Sequence, residues 1–392
     1  MERLCYAELC TGCGACAGVC PVGCIRMVAD AEGFLRPEVD GQTCIGCNRC
    51  QRVCPVINQP VTPEGETTAY AAINTDDQIR YNSTSGGVFT LLGQWVLARG
   101  GIVFGAAYDE ALRVVHCAAE HPDDLRRFRG AKYAQSQLMD VYHRVRSCLM
   151  GGRYVLFSGT PCQIGGLVSF LGEHPDKLIL VDLICHGVPS PAVWQHYVRY
   201  RGEQDAAGAR PIAINLRSKE TGWPSYSIRF DYPNGAVYSA TQAQDPYLRG
   251  FVGDLYLRPS CYHCKFKGST RLSDFTLGDY WGVWNQLPEY HDEKGTSLVL
   301  LHTEKAKSIW EALASKCRYQ QVDVSAALAG NPSALLSSLE NTNRRHFFGR
   351  YRQEDFAALV QELCPPPPPP KQSRIRRVVR KIRHIFKKIT TL

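Results

Sequence analysis

Twice within its first 55 residues the chain runs C-x2-C-x2-C-x3-C-P, and no other stretch restricts the possible folds so tightly. The first run is Cys10, Cys13, Cys16, Cys20 and Pro21; the second, 34 residues later, is Cys44, Cys47, Cys50, Cys54 and Pro55. A C-x2-C-x2-C run wraps three thiolates around one corner of a [4Fe–4S] cube, and the fourth Cys of each run ligates the other cluster. Cys10, Cys13, Cys16 and Cys54 are therefore expected to hold one cluster, and Cys44, Cys47, Cys50 and Cys20 the second. Gly12, Gly14 and Gly46 suit the tight backbone between ligands. The rival readings are a disulfide framework and a zinc site, but zinc draws on two Cys pairs per metal, which these runs do not present.

Residues 1–58 resemble the bacterial two-cluster ferredoxins. A chain of 392 residues is too long for that unit alone and suggests two or three domains. With 44% hydrophobic and 21% charged residues the composition is that of a globular protein. No run of 18 apolar residues offers a membrane span, so a soluble or peripheral protein is expected. The N-terminus has no apolar signal core, and cluster thiolates among 18 Cys need a reducing compartment, which together point to the cytoplasm. The net charge of +8 is concentrated in residues 371–392, whose nine Lys and Arg leave the remainder at −1. The body thus carries no basic footprint for nucleic acid, and none is expected as a partner.

Val56–Thr68 has no apolar period, and residues 59–68 read as a linker. A second domain is expected over 69–345. It starts with a strand at Tyr70–Ile73 and a loop that brings Ser85, Gly86 and Gly87 to the start of a helix at Val88–Ala98. Helix N-terminal amides favour phosphate, though a capped helix alone explains the same residues. Strands are expected at Gly101–Tyr108 and Val114–Ala118, joined as a hairpin. Between two helical segments lies Arg129–Ser136, a polar loop of the kind that lines sites; Lys132 in it otherwise reads as a solvated amine. Tyr154–Ser158 and Leu178–Ile184 read as buried strands. They break at Gly159-Thr-Pro-Cys162 and Cys185-His-Gly-Val-Pro189, the strand ends at which open α/β sheets put ligands. Ile212–Ser239 suggests an antiparallel section, and Cys261-Tyr-His-Cys264 gives a C-x2-C on a loop.

Cys162, Cys185, Cys261 and Cys264 are four loop thiols, the number one cubane requires. Singly each reads as a buried inert Cys, and the C-x2-C equally as half a zinc site or a redox pair. Together they are read as a third cluster. The segments Asn82–Thr90, Arg129–Tyr133, Gly159–Gln163, Cys185–Pro191, Arg258–Cys264 and Gly278-Asp-Tyr-Trp-Gly282 are similar to those of the coenzyme F420 hydrogenase/dehydrogenase beta-subunit family. That resemblance implies FAD and a [4Fe–4S] cluster in an α/β domain, with Cys162, Cys185, Cys261 and Cys264 as its ligands. It further implies flavin contacts from Ser85, Gly86, Gly87, Lys132 and Tyr133, and electron flow between a ferredoxin-like carrier, the flavin and an organic substrate. The implied substrates include coenzyme F420; relatives with a fused ferredoxin module accompany cell-surface polysaccharide genes, which suggests a lipid- or nucleotide-linked sugar instead.

Clusters move single electrons and a flavin converts them into pairs, so the expected protein is a reductase. His186 and Lys132 are the candidate catalytic groups. His186 reads either as a general acid or as a donor to cluster sulfide, and Asp279 either as a ligand to a polar group or as a turn cap. The other six Cys are read as structural. The expected fold is α+β: a ferredoxin-like two-[4Fe–4S] domain (1–58), a mixed α/β flavin and iron–sulfur domain (69–345), and a helix within 346–364. Pro365–Pro370 then form a spacer of about 19 Å at ~3.1 Å per residue. Beyond it Ile375, Val378, Val379, Ile382, Phe386, Ile389 and Leu392 recur at helical spacing among Lys and Arg, so 371–392 read as an amphipathic helix for an anionic membrane surface. A disordered cationic tail is the plainer reading. The expected location is the cytoplasmic face of the membrane.

Overall fold

The structure, a computed structural model, describes residues 4–63 and 65–366. The amphipathic tail expected over 371–392, and Pro367–Pro370 of the spacer, lie outside the described residues. No described helix is long and apolar enough to cross a membrane.

The head, up to Cys54, places β1 (Ile25–Ala29) and β2 (Leu35–Val39) as an antiparallel ribbon between the two Cys runs. Each run ends in a one-turn helix, Ala15–Gly18 and Arg49–Arg52. Gly12, Gly14 and Gly46 have φ of 69°, 76° and 66°, the left-handed backbone that lets consecutive thiols turn inward.

The body is built on one eight-stranded mixed sheet. Its strands are β3 (Thr68–Asn74), β4 (Ile102–Tyr108), β5 (Val114–Ala119), β6 (Val155–Ser158) and β7 (Leu178–Leu183). A separate antiparallel sheet follows: β8 (Ala213–Ser218), β9 (Ser227–Asp231) and β10 (Val237–Thr241). The chain then returns with β11 (Phe275–Asp279), β12 (Ser297–Leu301) and β13 (Cys317–Val322), and the large sheet reads β13-β3-β12-β11-β7-β6-β4-β5. Its centre, β4-β6-β7-β11, is parallel and its flanks antiparallel.

Strand alternation sorts the side chains between two cores. Val103, Leu156, Ile179 and Val181 face the helices Val88–Leu97 and Glu304–Leu313. Phe104, Phe157, Leu178 and Leu180 face the helices Val141–Met150 and Pro161–Leu171. The second core also takes in Cys13, Ala15 and Val53, so the head completes a core of the body. The expected helix near the C-terminus is Phe356–Leu363, capped by Asp355, and it packs with the unforeseen helix Arg344–Arg350 against the helices Pro191–Asp205 and Pro246–Val252.

Candidate iron–sulfur centres and the cavity beside them

In the head, Cys13 and Cys16 stand beside Cys10 and Cys54, and Cys50 beside Cys44 and Cys47. Burial pushes the Cys13 thiol up to about 11, and neighbouring Cys10 and Cys54 add to the effect; burial also raises Cys16, with Cys13, Cys10 and Cys54 adding. In the second group burial raises Cys50, and Cys47 and Cys44 contribute. Cys20 Sγ lies 3.4 Å from Cys24 Sγ, and Cys24 in turn neighbours Cys44. Two Cys read as structural therefore stand beside these sets: Cys24 between Cys20 and Cys44, and Cys5 against Cys54.

The body thiols come from three segments. Cys162 sits in the first turn of Pro161–Leu171, whose entry is shaped by Pro161 at its start and by Gln163 Oε1, which accepts from Thr160 N at 3.0 Å. Cys185 follows β7, and Cys261 and Cys264 lie in the turn after Pro259. Burial raises Cys162, and Cys264, Cys185 and Cys13 add to it. Cys185 and Cys261 are each pushed up to about 12, again by burial and then partly by the neighbouring thiols. Among the described residues no three His, Cys, Asp or Glu side chains converge on a single ion. Four thiols that neighbour one another without closing on one point suit a cubane, in which each binds its own iron.

Beside Cys185 opens a cavity of about 490 Å³, within the range of cofactor sites. Lys132, Tyr133, His186, His116, Arg217 and Asp182 are among the residues of its wall. Lys132 Nζ donates to the Arg129 and Gly130 carbonyls at 2.9 and 3.2 Å, and the packing around it pushes its ammonium down to about 8. Tyr133 stacks on Phe251 at 4.6 Å and its hydroxyl accepts from Arg217 Nη1. His186 Nε2 lies 2.7 Å from Asp254 Oδ1, close enough to pair though not aligned for a hydrogen bond. Ser85, Gly86 and Gly87 are not in the cavity wall. Ser85 Oγ donates to Thr296 O at 2.6 Å, Gly86 N donates to Ser297 Oγ at 2.9 Å, and Phe89 of the helix they introduce reaches the cavity.

Three wall residues, Arg217, His116 and Asp182, escaped the sequence reading. Arg217 is buried and pairs through Nη1 with Asp279 at 2.8 Å, while its Nε and Nη2 have no partner. Burial works against that charge, but Asp279 and Tyr133 hold it above the usual guanidinium range. Asp279 also accepts from Trp223 Nε1 at 3.2 Å, so it is an ion-pair partner rather than a turn cap. Burial pushes His116 down to about 4; its Nε2 donates to Ser158 O at 2.8 Å, leaving Nδ1 an unanswered acceptor. Burial pushes Asp182 up to about 6 even with Arg271 3.9 Å away. Trp281 stacks on Trp223 at 5.1 Å and 6°. Orphaned donors and acceptors around an aromatic-lined cavity fit a flat polar organic group. An adjoining groove shares Gly130, Ala131 and Lys132 with the cavity and carries Arg126, Arg127 and Arg129.

A head with two Cys-run centres joined through a shared core to an α/β body defines an iron–sulfur electron-transfer protein. Residues 9–58 and 36–85 each match a 4Fe–4S dicluster domain. Residues 152–326 match the C-terminal region of the coenzyme F420 hydrogenase/dehydrogenase beta subunit, an oxidoreductase-related family. Among solved structures it is similar to a chain of the F420-reducing [NiFe] hydrogenase complex from Methanosarcina barkeri, with 19% identity and a TM-score of 0.46 over 75% of this chain and 91% of that one. No curated protein matches.

Proposed function

We propose that the protein is an iron–sulfur flavoprotein reductase. It takes electrons from a ferredoxin-like donor through the head, a third [4Fe–4S] cluster on Cys162, Cys185, Cys261 and Cys264, and FAD in the adjoining cavity, to an organic substrate. The observation that carries this reading is that the four thiols neighbour one another, with Cys162 beside Cys13 of the head and Cys185 in the cavity wall.

FAD bound there would supply conversion of single electrons into pairs. The chain's own residues supply the rest. Arg217 presents a buried donor edge to an anionic or carbonyl oxygen, and Asp279 keeps it charged and aimed. The His186–Asp254 couple and Lys132, whose ammonium burial makes a readier proton donor, can each hold and return a proton at the cavity wall. Arg126, Arg127 and Arg129 suit a phosphate-bearing molecule such as a dinucleotide, or a substrate of that class. The family description supports coenzyme F420 as one candidate substrate; a lipid- or nucleotide-linked sugar is the other.

Anaerobic purification with iron and flavin assay tests the reading. About twelve Fe and one FAD per chain are expected, whereas about eight Fe without flavin would reduce the body to a scaffold for the head. For the tail, deletion of residues 371–392 is expected to abolish binding to anionic liposomes, each basic residue being worth roughly 1 kcal/mol at such a surface; unchanged binding would remove the membrane from the scheme.

A further inference from the structure

Arg258 crosses the seam between head and body. It is 1% exposed, and two of its three guanidinium nitrogens bond to the head. Nε donates to Cys10 O at 2.7 Å and Nη2 to Leu35 O at 2.9 Å, with Nη2 also 3.7 Å from Cys10 Sγ. Nη1 donates to Gln135 Oε1 at 2.7 Å, and Gln135 Nε2 donates on to Thr11 O at 2.9 Å. Gly12 makes the approach possible, since a Cβ there would lie 2.7 Å from Arg258 Nη1. On the body side Arg258 N donates to Val188 O at 3.0 Å, and Arg258 O accepts from Cys261 N at 2.9 Å. The side chain therefore touches a thiol of one centre while its backbone shapes the turn that carries a thiol of the next.

The partners of this buried cation are carbonyls, an amide and a sulfur, with no carboxylate among them. A buried charge so placed is costly unless an anion answers it. A cubane held by four thiolates is a net anion in either oxidation state and gains one further negative charge on reduction. Hydrogen bonds to cluster sulfur and nearby positive charge raise a cluster's reduction potential.

We propose that Arg258 is a positioning residue that raises the reduction potential of the cluster held by Cys10, Cys13, Cys16 and Cys54. The centre at the seam thereby holds an entering electron more tightly than it would without the guanidinium. The effect needs only the head cluster and stands whether or not the cavity takes a flavin.

The test is an anaerobic redox titration of the full-length protein, followed by electron paramagnetic resonance, on wild type, R258Q and R258K. In R258Q the midpoint of one cluster is expected to fall by the equivalent of about tenfold in its one-electron equilibrium constant, about 59 mV. In R258K, which keeps the charge but cannot reach Cys10, Leu35 and Gln135 together, a smaller fall in the same direction is expected. Midpoints that stay in place or rise in R258Q overturn the proposal. Should R258Q fail to keep its iron, R258K alone decides, and unshifted midpoints there assign Arg258 a purely structural role and overturn it equally.

Discussion

Replacing Cys185 or Cys162 with alanine is expected to lower the iron content from about twelve to about eight atoms per chain while leaving the head centres reducible. Both residues sit at the carboxyl ends of central parallel strands, Cys162 just beyond β6 and Cys185 just beyond β7. On the proposed reading each is one ligand of four, and its removal would open a corner of a buried cube and expose it to loss. The consequence for electron flow should be larger than the loss of iron suggests. Cys162 is the body thiol that neighbours Cys13, and Cys185 is the one in the cavity wall. Without the centre between them, reduction of the head by dithionite should no longer reach a flavin in the cavity, and the flavin's bleaching in stopped flow should slow by orders of magnitude. C317A is the control, because that thiol lies on the edge strand β13, in the core that contains none of the ligand thiols, and should keep full iron. Full iron in both C162A and C185A would remove the third centre and the route that depends on it.

The second large effect is expected from a single methyl group. Gly166 lies one helical turn after Cys162, on the same face of Pro161–Leu171. A Cβ there would stand 2.6 Å from Tyr142 Oη, 2.8 Å from Cys13 Cβ and 3.0 Å from Cys13 Sγ. In an exposed helix the change to alanine would stabilise by roughly 0.8–1 kcal/mol. Here the overlap falls on a cluster ligand and on a tyrosine whose hydroxyl donates to Gln163 O at 2.8 Å, so neither neighbour can yield freely. Overpacking of this kind costs about 1–3 kcal/mol, and the strain should appear at the head. G166A is expected to lower the melting temperature and to lose head iron on dilution. G349A, at a helical glycine with nothing within 4 Å of its Cβ, should do neither. A G166A protein as stable and as iron-rich as wild type would mean that the head does not press on this helix.

Much of the chain was legible in advance because local chemistry dictated it. The two Cys runs read as a 4Fe–4S dicluster domain, and residues 9–58 match one, since ligand spacing is a covalent constraint that tertiary packing can only respect. The buried strands at Tyr154–Ser158 and Leu178–Ile184, the hairpin of β4 and β5, and the antiparallel section after Ile212 all appear. Their signal was an apolar run or an alternation bounded by Gly, Pro or Asn-Gly. The helix Arg344–Arg350 and the edge strand β13 were not foreseen. β13 has the burial pattern of a mostly exposed strand and takes its identity from pairing with β3, which no local propensity reports.

The functional residues divide along the same line. Cysteine identity and spacing alone specified an iron–sulfur protein with two centres, because a thiolate's affinity for iron belongs to the residue itself. Arg217, Asp182, His116 and Arg258 carried no such mark: an arginine or aspartate in a sequence reads as surface. Only the folded chain buries them, leaves an edge of Arg217 and a nitrogen of His116 without partners, and presses Arg258 against Cys10. The physical reason is that desolvation and proximity are properties of the assembled sheet and its seam with the head, brought together from segments as far apart as residues 10 and 258.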